Sequence, residues 1–571
     1  MTRNEYRRNN ESGIALITTL FFVLILYGLS SVFILSAVNE IRTAKLDREK
    51  TKTFYVAQGG AQVALDQLDT MVNNYLLTTI SNAAPSGVIG YANARVAAGD
   101  GIGWLVYAVR NNNVPVLTQN GEQAEYSGEG VLGGRTYQYS IVITEKTDPV
   151  ASGADQWDFP YVYTITADSS SGGVASRVRL TGDFTVRLQR DNFAKFALFT
   201  NSQTTPSGYN VWFTDKTNFA GPVHTNGRFN FALNPSGTFE EAVSQQETLA
   251  RFYNYGWTVL LDDDHNLNRD VPTFKETFER GASAITLNSS TQEQDMENQA
   301  SGGQTFTGNG VYVPANGSSL IGGVLVKGDS AITMSVDANN NAVYTIAQGN
   351  DTTTITVDQV NQQTTVYDSA SDTTQVYNGV PDGQDDVGTL IYVDGNITGI
   401  GGTVQADTEL TVASKYNMNI TDHIQYASYT PAVGSPGDSN YVPPSAEGTN
   451  NLLGLVSWQG NVTIGTSAPD NINIHGTILA TNGIFTVTDY NDTNTGPRGT
   501  ATLLGGVITD NYGAFGLFNG YTGQQMSGYG RNFVYDQRMK VGKQPPYFPS
   551  LNTFIAFTND IADKIVWQEG S

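Results

Sequence analysis

The stretch DDDHNLNRD places an oxygen-bearing side chain at every second position: Asp262, Asp264, Asn266, Asn268 and Asp270. Hard carboxylate and amide oxygens at that spacing suit Ca2+. The stretch departs from an EF-hand loop, because Leu267 stands where the sharp turn needs glycine and Thr273 where the bidentate glutamate belongs. A solvated polar turn is the plainer alternative, and PDGQDDVG (381–388) is a weaker acidic candidate. A second set is cationic: Arg531, Arg538, Lys540 and Lys543 alternate with Tyr529, Phe533, Tyr535 and Tyr547. Cations beside stacking rings suit single-stranded DNA, although four cations over thirteen residues also describe an ordinary surface. His224, His265, His423 and His475 lie far apart and lack metal-ligand spacing; His224 in VHTNG and His475 in IHGTI read as satisfied interior or rung-edge positions of strands. The chain has no GxSxG, P-loop lysine, HExxH or cysteine nucleophile, and Gly99, Gly101 and Gly103 read as turn residues. The expectation is a protein without catalytic activity, with a carboxylate pair of the glycosidase kind as the remaining enzymatic alternative.

The elements that would position these residues are mostly short strands. The chain has 571 residues with 60 Gly, 29 Tyr and 25 Phe but only 15% charged residues, which favours strands joined by tight turns. Aromatic and β-branched residues recur to the end, which argues against disorder. With no cysteine, stability outside the cytoplasm must come from packing, repetition or bound ions rather than disulfides. Residues 1–52 hold eight Lys+Arg against five Asp+Glu, leaving 23 against 49 in residues 53–571, a net of −26. Between Arg280 and Arg498 the bases are Lys327 and Lys415, against 21 acids. Phosphate binding relies on clustered cations that release counterions, so this region is excluded as a nucleic-acid platform.

Residues 12–39 are 28 uncharged positions rich in Leu, Ile, Val and Phe, enough to cross about 30 Å of hydrocarbon as a helix. Over residues 40–68 the pattern turns amphipathic, with Ile41, Ala44, Leu46, Phe54, Ala57, Ala61, Ala64, Leu65 and Leu68 near helical spacing. No proline precedes Pro85, so one rod of roughly 80 Å is expected over 14–68, with Gly28 and the Gly59-Gly60 pair as its weak points. That length argues against a cleaved secretory signal and a core helix; an ordinary signal anchor is the competing reading.

Beyond an Asn/Ser/Gly stretch at 81–100, GWLVYAV (103–109), RTYQYSIVIT (135–144), YVYTITA (161–167) and FTVRLQR (184–190) read as strands. From NFAKFALFTN (192–201) onward, short β runs are punctuated by Asn226-Gly227, Asn309-Gly310, Asn316-Gly317, Asn378-Gly379, Asp394-Gly395, Asn482-Gly483 and Asn519-Gly520. LIYVDGNITGI, LVSWQGNVTIG and INIHGTILATNGIFTV look like successive rungs. An irregular β-solenoid is expected, with a sandwich of hairpins as the alternative, since Asn-Gly serves both.

The polar leader ends in Gly13 and passes at once to Ile14-Ala15-Leu16-Ile17. This resembles the class III leader of type IV pilins and type II secretion pseudopilins, and the resemblance implies that a prepilin peptidase cuts after Gly13, leaving Ile14 as the mature terminus. GIALITTLFFVLILYGLSSVF followed by FYVAQGGAQVAL is similar to PilX-type minor pilins and K-type pseudopilins. The family's glutamate at the fifth mature position is Thr18 here, and the mid-helix proline of major pilins is absent. In pilins that carboxylate meets the terminal amine of the subunit ahead, and a buried carboxylate is tolerable only with such a partner. A tip subunit has none ahead of it. NFAKFALFTN, FAGPVHTNGRF, LGLVSWQGNVTI, NINIHGTILATNGIF and VYDQRM with PPYFP resemble the large minor pilins of the ComZ competence type, in which a β-solenoid is inserted in a pilin domain and at least one member handles DNA.

The resemblance implies an α+β pilin-like unit (a long N-terminal helix plus an antiparallel sheet) with a large all-β insertion. Its expected parts are a leader (1–13), an assembly helix (14–68), a pilin-like β domain (69–195), a solenoid (196–545) and a segment returning to the sheet (546–571), through NTFIAFT or DKIVWQ. The implied function is that of a tip-located minor pilin in pilus assembly and in adhesion or DNA uptake. Its partners would be other minor pilins, the major pilin and the prepilin peptidase, with DNA or a surface ligand at the head. Such a chain waits in the inner membrane by a single span and then reaches the cell surface. The alternative is an envelope-anchored β-solenoid that binds a polysaccharide or protein without entering a pilus.

Overall fold

The computed structural model describes residues 5–570 except 154, 215–216, 233–236, 255–256, 262–269, 288, 437, 520–523, 559–560 and 562–564. The chain forms two compact units. The first comprises Met1–Ser152, Trp157–Leu188 and Ile555–Ser571; the second comprises Gly153–Gln156 and Gln189–Phe554.

In the first unit, helix α1 runs unbroken over Glu5–Thr70, roughly 100 Å at about 1.5 Å per residue. It therefore starts earlier than the apolar run. It continues through a π-type turn, Met71–Leu76, into α2, Leu77–Asn82. Where the sequence suggested a loop and then a strand, two further helices stand: α3 (Pro85–Ala98) and α4 (Gly101–Ala108). Pro85 opens α3, where its missing N–H costs nothing, and Gly99 closes it at φ 60°. The Asp100 carboxylate caps α4 by accepting from Gly103 N at 2.7 Å. A short apolar run such as GWLVYAV fits helix or strand by period alone. The cap and the burial of Trp104, Leu105 and Ala108 at helical spacing resolve it as helix.

These helices cover a sheet built from Gln123–Leu132, Arg135–Glu145, Gln156–Ser171 and Val174–Asn192, in that order. Alternation is strict in the third strand, where Trp157, Phe159, Tyr161, Tyr163, Ile165 and Ala167 are buried. The Trp104 ring stacks on Phe159 with centroids 4.0 Å apart. The late strand Val566–Gly570 pairs antiparallel with residues 177–181 of the same sheet.

The second unit is a large all-β body. Leu198–Ser202, Val223–Thr225, Val243–Gln245 and Phe278–Arg280 stack in parallel and in sequence order. A second parallel series runs Val324–Lys327, Thr389–Asp394, Glu409–Ser414, Leu452–Ser457, Thr477–Ala480 and Val507–Asn511. Its last strand lies parallel to Leu198–Ser202, with Val507 opposite Leu198. The resulting 11-stranded sheet therefore starts in its middle. The chain builds toward one end, passes through α5 (Ser289–Ser301), resumes near the far end and returns to its starting point. Entry and exit then meet, with Phe193 N donating to Pro549 O at 3.2 Å. A stack of 11 strands wound in one direction would part them by roughly 50 Å at about 4.8 Å per strand.

Between these strands the chain visits a 15-stranded sheet, whose Ile397–Val404, Met418–Tyr426, Val462–Ile464 and Phe485–Val487 also pair in parallel. Ile400, Ile420 and Ile464 from this sheet share one buried cluster with Leu390, Leu455, Ile478 and Ile508 from the other. Helix α5 packs against Val324–Lys327 and Thr389–Asp394, burying those strands on both faces and explaining their unbroken apolar runs. Gly residues sit where successive corners touch: a Cβ on Gly395 would lie 2.5 Å from the Gly328 carbonyl carbon. Beside them runs a ladder of side chains. Asp329 Oδ1 accepts from Asn396 N at 2.8 Å, Asn396 Oδ1 from Asn417 N at 3.1 Å, Asn417 Oδ1 from Asn461 N at 3.0 Å, and Asn461 Oδ1 from Ile484 N at 3.0 Å. Asp394-Gly395 and Asn482-Gly483 thus mark stacked corners, not hairpin tips.

Candidate functional site

Helix α1 changes character along its length. From Ile14 to beyond Ile41 its apolar side chains are bare, with Tyr27 74% and Phe33 71% exposed. By length and composition this stretch can cross a membrane. From Thr53 onward one face is buried: Thr53, Val56, Ala57, Ala61, Ala64, Leu65 and Leu68 recur at the three-and-four spacing that lines up a helix face. The small residues decide how closely the sheet approaches. A Cβ on Gly60 would lie 2.7 Å from Tyr137 Cδ2, so Gly59-Gly60, a weak point by propensity, is a close-packing point in the fold. Polar pins start the packed half: Arg135 Nη2 donates to Glu49 Oε2 at 2.6 Å, and Thr53 Oγ1 lies 2.9 Å from Ser176 Oγ. The hydrogen bond from Arg135 holds the Glu49 carboxyl below its ordinary pKa.

Gly13 and Ile14 lie inside α1. The hydroxyl of Thr18 donates to the carbonyls of Ile14 and Ala15. It is satisfied within its own helix, unlike an ionised carboxylate at that position.

Of the calcium candidates, Asp262, Asp264, Asn266 and Asn268 lie outside the described residues, and Asp270 is buried. Among the described residues no cluster of three or more His, Cys, Asp or Glu could hold a metal.

The four late cations are dispersed onto separate protein partners. Arg538 is buried, forks onto Asp536 at 2.6 and 3.0 Å, and donates to the Asn451 carbonyl at 2.7 Å. It is not available to a surface ligand. Lys540 pairs with Glu241, Lys543 with Glu409 at 3.6 Å, and Arg531 lies over the Tyr512 ring at 5.0 Å while donating to its hydroxyl. His475 is buried near Arg538, with Nδ1 accepting from Tyr426 N at 3.1 Å. Burial first, and the Arg538 and His423 charges second, push its pKa down to about 4. His224 is also buried, between Ser244 at 2.8 Å and Asn226 at 3.0 Å, and burial lowers its pKa. Asp382, from the 381–388 stretch, has its carboxyl raised to about 6 by burial and then by Asp386.

Residues 156–247 match a family model described as a domain of unknown function, DUF4900. No curated protein matches the chain. Among solved structures the chain is similar to the competence-associated pilin ComZ from Thermus thermophilus, at 12% identity, with 86% of this chain and 98% of that one covered and a TM-score of 0.29.

Proposed function

We propose that the chain is a minor pilin, held in the inner membrane by α1, cut after Gly13, methylated on Ile14 and taken into a type IV filament at its tip. The observation that carries this reading is the division of α1 into a bare apolar half and a half packed under its own sheet. In lipid the bare half meets acyl chains; in a fibre the same surface packs against neighbouring helices. Thr18, satisfied within its own helix, needs no amine from a subunit ahead, which suits a leading position in a PilX-like or K-type role.

The second unit is read as an irregular β-solenoid, on its parallel strand stacks and its corner ladder. Repeated along a slender fibre so large a head would collide with its copies, so one copy per tip is the natural number. Other minor pilins, the major pilin and the prepilin peptidase are its partners in this reading. No catalytic step and no cofactor is assigned. Adhesion is favoured over DNA capture, because the central region is strongly acidic and the late cations are engaged within the protein. The calcium suggestion rests on the sequence pattern alone.

The mass of the mature protein tests this. Loss of residues 1–13 with one added methyl group, and recovery of the chain in sheared surface fibres, is the expected result. A retained leader together with absence from fibres would favour the envelope-anchored alternative.

A further inference from the structure

The 15-stranded sheet carries an antiparallel meander: Ser330–Val336, Ala342–Gln348, Asp351–Asp358, Gln363–Asp368 and Thr373–Asn378. Its first strand lies parallel to Ile397–Val404 and its last is flanked by Ser319–Leu320 near the edge of the sheet. The meander and Gly310–Tyr312, the edge strand of the 11-stranded sheet paired antiparallel with Val324–Lys327, bound a cavity of about 1030 Å³, as large as the biggest ordinary small-ligand pockets.

Register shows how one face of the meander makes both core and cavity. Tyr344 opposes Ile355, Ile355 opposes Val366 and Val366 opposes Gln375. Tyr344 and Ile355 are buried, whereas Val366 and Gln375 line the cavity. In the next row Ile346, Thr353, Asp368 and Thr373 oppose one another in turn, and all four line it. The face is apolar at one end and lined with hydroxyl, amide and carboxylate groups at the other, so the polar end keeps a wet, open space rather than completing the core.

Two tyrosines face that space with their positions already set. Tyr312 stacks on Phe306 with centroids 4.5 Å apart and donates its hydroxyl to Thr307 O at 3.0 Å. Tyr377 donates to Gln375 Oε1. Gln348 is likewise held, donating to Lys327 O at 2.9 Å. Side chains fixed before binding lose little freedom on binding. The lining includes Asp329, Asp351 and Asp368 and, among the described residues, no Lys or Arg. It therefore repels phosphate- or carboxylate-bearing polymers.

We infer that this cavity binds a glycan chain of neutral or amino sugars. The C–H faces of the sugars would lie on Tyr312 and Tyr377, and their hydroxyls would exchange hydrogen bonds with the Thr, Gln and Asp groups. The inference needs only the second unit and holds whether or not the chain enters a fibre.

The test is calorimetric titration of the full chain in detergent micelles with cellohexaose, chitohexaose and hexameric chitosan, and with a 20-residue oligothymidylate and a Lys-rich decapeptide as competitors. At least one hexaose is expected to bind with Kd below roughly 1 mM, uncompeted by either. Tyr377→Ala should weaken it about tenfold, consistent with the loss of one aromatic contact. Gln375→Ala, at an exposed position, should weaken it several-fold and serves if the tyrosine variant does not fold. Failure of all three hexaoses to bind, displacement by the peptide or the oligonucleotide, or binding unchanged in folded variants would overturn the assignment.

Discussion

Three glycines on the helices of the first unit should respond to alanine in different ways, and the order tests how α1 meets its sheet. Gly90 is exposed within α3 and a Cβ there meets nothing within 4 Å. Gly90→Ala then gains only helix propensity and unfolded-state restriction, about 1 kcal/mol of stability. At Gly60 the same gain is opposed. The new Cβ would stand 2.7, 2.9 and 3.2 Å from Cδ2, Cγ and Cβ of Tyr137. The last two atoms lie close to the Tyr137 backbone, so rotating the ring does not clear them and strand Arg135–Glu145 must shift. Overpacking of that kind costs about 1–3 kcal/mol, leaving Gly60→Ala destabilised by up to about 2 kcal/mol once propensity is subtracted. Gly59 is intermediate: its Cβ meets Leu132 Cδ2 at 2.5 Å, but Leu132 is 46% exposed and can swing away, so the variant should lie near neutral. Thermal unfolding in detergent reads the order Gly90→Ala above Gly59→Ala above Gly60→Ala, with spacings of roughly 2–4 °C per kcal/mol for a unit of this size. If Gly60→Ala raised the midpoint as much as Gly90→Ala, the close approach of helix and sheet described above would be wrong.

Arg538→Ala should lower stability by about 3–5 kcal/mol in urea unfolding, because it strands the buried Asp536 carboxylate; the paired change Arg538→Met with Asp536→Leu should recover most of that loss. Acid should weaken the second unit through His475. Its folded pKa of about 4 lies below the ordinary 6.5, so the unfolded chain binds the extra proton in that window and stability falls as pH drops from 6.5 toward 4. The full effect is up to about 3 kcal/mol. His475→Asn, which keeps an acceptor for Tyr426 N, should flatten that part of the stability–pH curve measured by denaturant midpoints.

The features legible in the sequence were those written in local periodicity. The uncharged run and the amphipathic series after it define α1, because a helix answers only to neighbours three and four residues away. FTVRLQR alternates as a half-buried strand should, with Phe184, Val186 and Leu188 buried. Gln189 departs from the alternation: it is buried and donates to Gly542 O at 3.0 Å, a contact 353 residues distant that no local pattern contains. GWLVYAV misleads because a short apolar run has no decisive period, and only the Asp100 cap and the packing on Phe159 settle its form.

The sequence alone determined that a long apolar helix leads an acidic, strand-rich body without disulfides, since composition and short-range pattern suffice for that. Tertiary structure decided the rest. It set the order in which parallel strands stack, with Val507 beside Leu198, and it spent the late cations on separate acids and rings. It also curled the meander around a cavity whose two tyrosines, Tyr312 and Tyr377, lie far apart in sequence. Parallel pairing joins strands through long connections whose length and course leave no periodic trace. Which distant strands meet is fixed only when their shared apolar faces leave water together.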